Sequence, residues 1–484
     1  MAENESLKEK TKSGLMWAAL SNGTQQAVTM IIGIILANIL DVSDYGMVAM
    51  LTIFSIISTQ LQDGGFYYAL AVKKEATDED FNAAFWFNIL MSWILYTILF
   101  FSAPLIAEFN HTPELTKIAR VIFLGFIITG SGTAHAAYLY RNLLIKQKTT
   151  AQVYASVLSG IAGILAAIAG LKYWSLVIMD LSYKMVYNII IWKCSPWRPT
   201  LHIDLRPAFR MFGFSSKLLA TNMLTTVNNQ LLQSILGHFY LSTQVGQYSQ
   251  ANKWTTLGST MLTGMVGNVA QPVLASVNEE EGRQLRIFRK MLRFTAMLSI
   301  PALFGLGLIA QEFIYLTIGE KWLPCVPYLQ TLCIAGAFIP LNQMFSNLLI
   351  SKGQSNYYFV SSCGFLILQL SAALLLYPYG IQNLLYAITA LTIIWLPVWH
   401  YFAHRLVNIT FWQTLKDIIP FLGAAIIAMF TAYWAATIFS HPLLTISTKI
   451  IVAIAVYSMI MQLSGAEIWK ECTRFMLEKI HKKH

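Results

Sequence analysis

Four stretches of this chain set amides, hydroxyls and small residues three to four positions apart within otherwise apolar sequence. The first carries Asn22, Gln26, Thr29 and Gly33, and the second Ser55, Thr59, Gln62 and Asp63. The third carries Asn222, Thr226, Asn229 and Gln233, and the fourth Gln250, Lys253, Thr260, Gly264, Asn268 and Gln271. This spacing puts each set on one face of a helix. An amide offers donor and acceptor together, so such faces suit hydroxyl-rich ligands. Amides and small residues also glue membrane helices to one another, but glue needs one or two polar groups per helix. Four rows together predict the walls of a hydrated cleft, with Asn22, Gln26, Gln62, Asn222, Asn229, Gln233, Asn268 and Gln271 as ligand contacts.

Ionisable residues within apolar sequence are few. Asp180 and Lys184 stand four apart and can neutralise each other on one helix face, or Lys184 can present its ammonium to a phosphate. Lys253 either snorkels to an interface or joins Lys184 in attracting negative charge. Asp63 precedes Gly64 and Gly65, where it either caps a helix at the membrane surface or, with Asp180, serves as a cation-coupling carboxylate. His400 and His404 are four apart, but their neighbourhood supplies no further ligand, and they read as surface histidines rather than a metal site. The cysteines Cys194, Cys325, Cys333, Cys363 and Cys472 form no CxxC pair. They are expected reduced, without metal. No phosphate-cradling glycine loop, HExxH, GxSxG or paired-carboxylate constellation is present. A non-catalytic protein without cofactor is expected.

The elements that must position these residues are membrane spans. Of 484 residues 56% are hydrophobic and 12% charged, against about 25% charged in a soluble domain. Apolar runs of spanning length lie near 14–39, 46–66, 82–103, 117–139, 151–170, 174–192, 214–238, 248–275, 294–316, 325–350, 357–377, 381–403, 416–438 and 444–463. The expected fold is an all-α polytopic membrane protein of about fourteen helices, each needing roughly 20 apolar residues. Residues 1–13 form a polar N-terminal tail, with no cleavable signal peptide expected; 14–192 form a first six-span lobe and 193–213 a connector. Residues 214–403 form a second six-span lobe, 404–463 two added spans, and 464–484 a C-terminal tail. Placing the N-terminus in the cytoplasm puts most of the 33 Lys and Arg on that side; Lys117, Arg120, Lys172 and Lys321 fall outside, and Lys184, Lys253 and Lys449 within spans. That bias is the positive-inside pattern, with both termini cytoplasmic. The formal net charge of +10 is therefore distributed between spans rather than gathered on a nucleic-acid surface. The charged loop from Asn278 to Phe294 reads as an interfacial turn against anionic headgroups. Pro272 and Pro301 are expected to kink their helices. Asn22 with Asn222, Gly46 with Gly246 and Gly64 with Gly264 echo at an offset of 200 residues, as in the repeats of transporters.

Certain segments carry a resemblance. ANILDVSDYGMVAM (Ala37 to Met50), LQDGGFYYALAVKKEATDEDFNAAFW (Leu61 to Trp86), VGQYSQANKW (Val245 to Trp254) and IGEKW (Ile318 to Trp322) resemble those of polysaccharide exporters. These belong to the multidrug/oligosaccharidyl-lipid/polysaccharide superfamily, the group containing O-antigen and exopolysaccharide flippases. The resemblance covers essentially the whole chain. It implies two six-helix lobes around a central cleft, plus two C-terminal helices, in a bacterial cytoplasmic (inner) membrane. The implied cargo is an undecaprenyl-diphosphate-linked oligosaccharide for lipopolysaccharide or other surface polysaccharide, moved by alternating access; because charges within the spans are few, Lys184, Lys253 or Arg141 is expected to attract its diphosphate. Membrane lipids and the polysaccharide polymerase machinery are the implied partners. Where family members often carry an acid in the seventh helix, this chain has Asn228, Asn229, Gln230 and Gln233, which argues against acid-based coupling there. The alternatives are a cation-coupled multidrug exporter or lipid II flippase of the same superfamily, a membrane-bound glycan polymerase or ligase, and a structural scaffold.

Overall fold

The computed structural model describes residues 23–63, 66, 70, 73, 76–142, 144–210, 223, 232–233, 235–277, 280–471 and 473–474. Among them the protein is helical, without a strand. Its close contacts divide it into two units, Met1–Gly246 and Gln247–His484.

The first unit is built from α1 (Gly23–Ile39), α2 (Val42–Asp63), α3 (Asp78–Phe109), α4 (Leu115–Ile122), α5 (Leu124–Gly130), α6 (Thr133–Arg141), α7 (Ile145–Ile168) and α8 (Trp174–Cys194). Neighbours pack as short connections require: α7 lies against α8, α3 against α4 and α5, and α5 against α8. Thr77 starts α3 with a capping box, its hydroxyl accepting from Asp80 N while the Asp80 carboxylate accepts from Thr77 N and from Lys73 Nζ at 2.5 Å. Phe66, Phe81, Phe85, Phe87 and Trp197 form the buried aromatic cluster beneath this end.

Residues 232–233 and 235–246 also pack within this unit. The Gln233 amide donates to Ala49 O at 3.3 Å, and the His238 ring stacks on Phe109 with centroids 4.2 Å apart. Gly46 and Gly246 make a reciprocal backbone crossing: a Cβ on Gly46 would run into the Ser242 carbonyl, and one on Gly246 into the Val42 carbonyl. Each glycine thus meets the residue four positions before the other, and this is one of the three pairs that echo in the sequence. Only hydrogen in place of a side chain permits the approach.

The 35-residue helix α9 (Ser242–Ser276) leads into the second unit. There follow α10 (Glu281–Leu308), α11 (Ala310–Ile318), α12 (Val326–Ser351), α13 (Ser355–Leu376), α14 (Ile381–Val407), α15 (Phe411–Ala436) and α16 (Pro442–Leu463). Here α12 packs between α10 and α14, and α15 against α10 and α16. Asn408 ends α14 in the left-handed region at φ 54°, and Thr410 opens α15 with a second capping box closed by Gln413. This pair of signals reverses the chain within a few residues.

Pro301 lies inside α10 and has no N–H to give the carbonyl of Met297, one turn earlier. The Tyr457 hydroxyl of α16 donates to that carbonyl at 3.0 Å. Two turns along α16, Lys449 Nζ donates to Leu308 O, at the end of α10, at 3.1 Å.

Among the described residues ten helices are long and apolar enough to cross a membrane, and a pair bent by 43°, Leu115–Gly130 with Thr133–Arg141, makes an eleventh crossing when taken as one span. The protein is a multi-pass membrane protein. These eleven coincide with apolar runs read from the sequence. Of the other three runs, the first is described from Gly23, the seventh lies largely outside the described residues, and the eighth is α9, helical but more polar than the rest.

Candidate functional site

Polar side chains of α2 and α8 meet the bent fourth crossing. It breaks at Ser131 and Gly132, between α5 and α6. A broken helix frees carbonyls that hydrocarbon cannot solvate, so neighbouring helices must pair with them. Helix α8 does this: Asn188 Nδ2 donates to Ile128 O at 2.5 Å and lies 2.6 Å from Ser131 Oγ, and Trp192 Nε1 donates to Ser131 O at 2.9 Å. The Asn188 side chain also fills the space beside Gly132, where a Cβ would stand 2.5 Å from its Oδ1.

One turn before Asn188 on the same helix, Lys184 donates to Asp180 at 2.6 Å. Its side chain lies along α5 at Gly125, where a Cβ would come within 2.7 Å of its Nζ. Lys184 is equidistant from the two ends of the 21-residue α8, a helix of about 30 Å at 1.5 Å per residue. The ion pair therefore sits at mid-span, with the Asp180 side chain 37% exposed and that of Lys184 16%. Gln62 of α2 is buried and accepts from the Thr129 hydroxyl at 3.1 Å. Asn88 of α3 is fully buried, and its side-chain amide has no hydrogen-bond partner among the described residues.

Of the residues singled out in the sequence, Gln62, Asp180 and Lys184 thus belong to this neighbourhood of α2, α5 and α8. Asp63, next to Gln62, is half-buried at the end of α2, and Gln26 is exposed on α1. Arg141 instead bonds the backbone carbonyls of Leu70 and Lys73, at 2.7 and 2.5 Å. Asn22, Asn222, Thr226, Asn228, Asn229 and Gln230 lie outside the described residues, as do Gly64 and Gly65. Thr129, Ser131, Asn188 and Asn88 were missed. Each is a single polar residue rather than part of a row, and the signal available was Gly130-Ser131-Gly132, three weak helix formers in mid-span.

In the second unit Gln250 is buried with its side-chain NH2 unpartnered among the described residues. Lys253 is half-buried, and no described residue forms an ion pair with it. Thr260 is exposed and donates to Thr256 O at 2.7 Å, a bond within its own helix. The side chains of Asn268 and Gln271 lie outside the described residues.

Two ion-pair clusters in this unit had no counterpart in the sequence reading. The buried Asp417 of α15 accepts from Arg289 Nε and Nη2 at 2.7 and 3.0 Å and from Arg293 Nε at 2.7 Å. These arginines belong to α10 and turn toward α15, whereas the charged stretch around them was expected to be an interfacial turn. Lys449 of α16 pairs with Glu312 of α11 at 2.7 and 2.9 Å, with side chains 8% and 13% exposed. His400, expected at the surface, is buried and shares a hydrogen bond with Thr414 at 3.0 Å. No group of metal-ligating residues occurs among the described residues.

A family profile described as "Polysaccharide biosynthesis protein" matches residues 35–327. The chain belongs to this family. Among curated relatives it is similar to the teichuronic acid biosynthesis protein TuaB of Bacillus subtilis, with 25% identity over 75% of this chain and 76% of that one. It is likewise similar to the lipopolysaccharide biosynthesis protein WzxC of Escherichia coli, with 22% identity over 73% of this chain and 72% of that one. Among solved structures, the lipid II flippase MurJ in an inward closed conformation aligns with a TM-score of 0.77 at 12% identity, covering 93% of this chain and 99% of that one. An inward-facing multidrug resistance MATE family transporter of the MOP superfamily aligns with a TM-score of 0.59 at 16% identity, over 79% and 94%. At these identities the structures establish a shared fold. The family profile thus places the chain among polysaccharide biosynthesis proteins, and its fold is the one these two transporters share.

Proposed function

We propose that this protein carries a lipid-linked oligosaccharide across the bacterial cytoplasmic membrane. The glycan rides on undecaprenyl diphosphate, moves from the inner to the outer leaflet by alternating access, and undergoes no bond change. The observation that carries this reading is the Asp180–Lys184 pair at mid-span, beside a broken helix and still partly exposed. Charged groups at that depth are costly unless they face protein or water, and discontinuous helices border the binding sites of many transporters. A sugar headgroup with a diphosphate needs such an environment, since it cannot enter about 30 Å of hydrocarbon bare. Lys184 then attracts the diphosphate, and Gln62 offers its amide to sugar hydroxyls. Lys253, Gln250 and the amides of the third and fourth rows, Asn222, Asn229, Gln233, Asn268 and Gln271, extend the same chemistry, as do Asn22 and Gln26 in the first. Asp63 and Asp180 are the candidates for cation coupling.

The names of the relatives in teichuronic acid and lipopolysaccharide biosynthesis support a glycan cargo, whereas the multidrug reading draws on fold likeness alone. The test is a strain lacking this chain, in which undecaprenyl-linked repeat units should accumulate and surface polysaccharide should fall. Wild-type protein should restore export. Lys184→Met and Asn229→Leu, expressed to the same level, should restore it poorly. Normal repeat-unit levels in the deletion strain would refute the assignment, and full export by both variants would remove these residues from the site.

A further inference from the structure

We infer that the second unit holds a binding site for the phosphate of a membrane lipid, formed by Arg289, Arg293, Lys416 and Ser464. Three helices bring these residues to one level. From Arg289 to Leu308 in α10, and from Asp417 to Ala436 in α15, the rise is about 28 Å at 1.5 Å per residue. Ser464 directly follows the 22-residue α16. If the far ends of these helices mark one edge of a hydrocarbon core of about 30 Å, the cluster lies at the other edge, at headgroup depth.

The cluster surrounds a cavity of about 290 Å³, lined by Arg289, Arg293, Lys416, Asp417, Ser464 and Glu467 among others. Its charge is positive. Asp417 engages both guanidiniums, but only through Nε and Nη2 of Arg289 and Nε of Arg293. The remaining N–H groups of the two forks have no hydrogen-bond partner among the described residues. One carboxylate cannot neutralise two guanidiniums, and Lys416 adds a third cation without a described ion-pair partner. The opposing charge is Glu467, whose oxygen stands 3.8 Å from Arg293 Nη1 and whose side chain is 85% exposed, so it is free to leave.

A guanidinium fork with open N–H groups matches phosphate oxygens. The flanks of the cavity say that the phosphate belongs to an amphiphile. Pro420, Phe421 and Met461 line the cavity. Ile419 and Leu463, next to the lining residues Pro420 and Ser464 in sequence and 52% and 75% exposed, offer apolar surface to acyl chains. So does Trp412, one turn before Lys416 and 73% exposed, in the manner of an interfacial tryptophan. A basic pocket between spans at an interface is the setting in which anionic headgroups are recognised.

The chemistry is shared by a bilayer phospholipid and a polyprenyl diphosphate, and titration separates them. Full-length protein purified in dodecyl maltoside is titrated by microscale thermophoresis with phosphatidylglycerol, undecaprenyl diphosphate, phosphatidylcholine or inorganic phosphate. Saturable binding of either anionic lipid, with phosphatidylcholine far weaker, supports the site and identifies its occupant where the Lys416 variants weaken it, since binding at Lys184 in the first unit would not respond to them. Lys416→Ala should weaken that binding about five-fold, the contribution of one basic group near an anionic surface, and Lys416→Glu should weaken it further. Lys416 is exposed and holds no other element, so both variants should fold; Arg293→Gln provides a second arm. Equal lipid binding by wild type and both Lys416 variants overturns the proposal. So does binding of inorganic phosphate as tight as that of the lipids, since the apolar flanks would then contribute nothing.

Discussion

The Tyr457 hydroxyl should be worth more to this protein while Pro301 is present than after Pro301 is replaced. Pro301 deprives the Met297 carbonyl of its helical donor, and Tyr457, 7% exposed, supplies one from α16 at 3.0 Å. Tyr457→Phe then leaves a buried acceptor unpaired, at a cost of about 1–3 kcal/mol. In a Pro301→Ala background the alanine N–H can restore the bond within α10, and the same Tyr457→Phe change should cost less than about 1 kcal/mol. The expected coupling is about 1–2 kcal/mol, a factor of roughly 5–30 in the folding equilibrium. The four proteins are purified and unfolded reversibly in mixed micelles of dodecyl maltoside and sodium dodecyl sulfate, followed by tryptophan fluorescence. The cycle subtracts whatever Pro301→Ala does by itself. An equal cost for Tyr457→Phe in both backgrounds would show that the hydroxyl does not compensate for the proline.

Other perturbations follow from the same contacts. Asp417→Asn should cost about 3–5 kcal/mol, because two guanidiniums lose their counter-charge, and should lower folded yield on detergent size-exclusion chromatography. Asp417→Leu combined with Arg289→Met and Arg293→Met should recover that yield. Glu312→Gln should lower the thermal midpoint by stranding the Lys449 ammonium inside a span, and adding Lys449→Met should raise it again. Gly46→Val should abolish folded protein, since its Cβ has no room beside the Ser242 carbonyl, while Gly423→Val, with open space around it, should be tolerated. Asn188→Leu should both destabilise the protein and reduce polysaccharide export, as it removes one of the two α8 donors at the break in the fourth crossing and leaves only Trp192.

What could be read in the sequence was what lies within a single helix. Apolar runs gave the spans, and the four-residue spacing of Asp180 and Lys184 gave their ion pair at 2.6 Å. Contacts between helices were another matter. In water, the apolar stripe of a helix marks the face that packs, but in a membrane the lipid-facing and protein-facing sides are both apolar. Periodicity therefore could not show that α10 meets α15, or that Arg289 and Arg293 would find Asp417 more than 120 residues away. Nor could it show that α16 would return to cover the carbonyl freed by Pro301. The polar exceptions supply what the apolar pattern lacks: Lys449 with Glu312 ties α16 to α11, Asp417 with Arg289 ties α15 to α10, and Asn188 ties α8 to the broken crossing. This separates two uses of polar groups within spans. A charge buried against a partner on another helix fixes which helices pack. The Asp180–Lys184 pair lies within one helix, with Lys184 packed along α5 at Gly125 and the Asp180 side chain still 37% exposed at mid-span. The pairing itself therefore does not fix which helices pack, and attraction of a cargo is the role we propose for it.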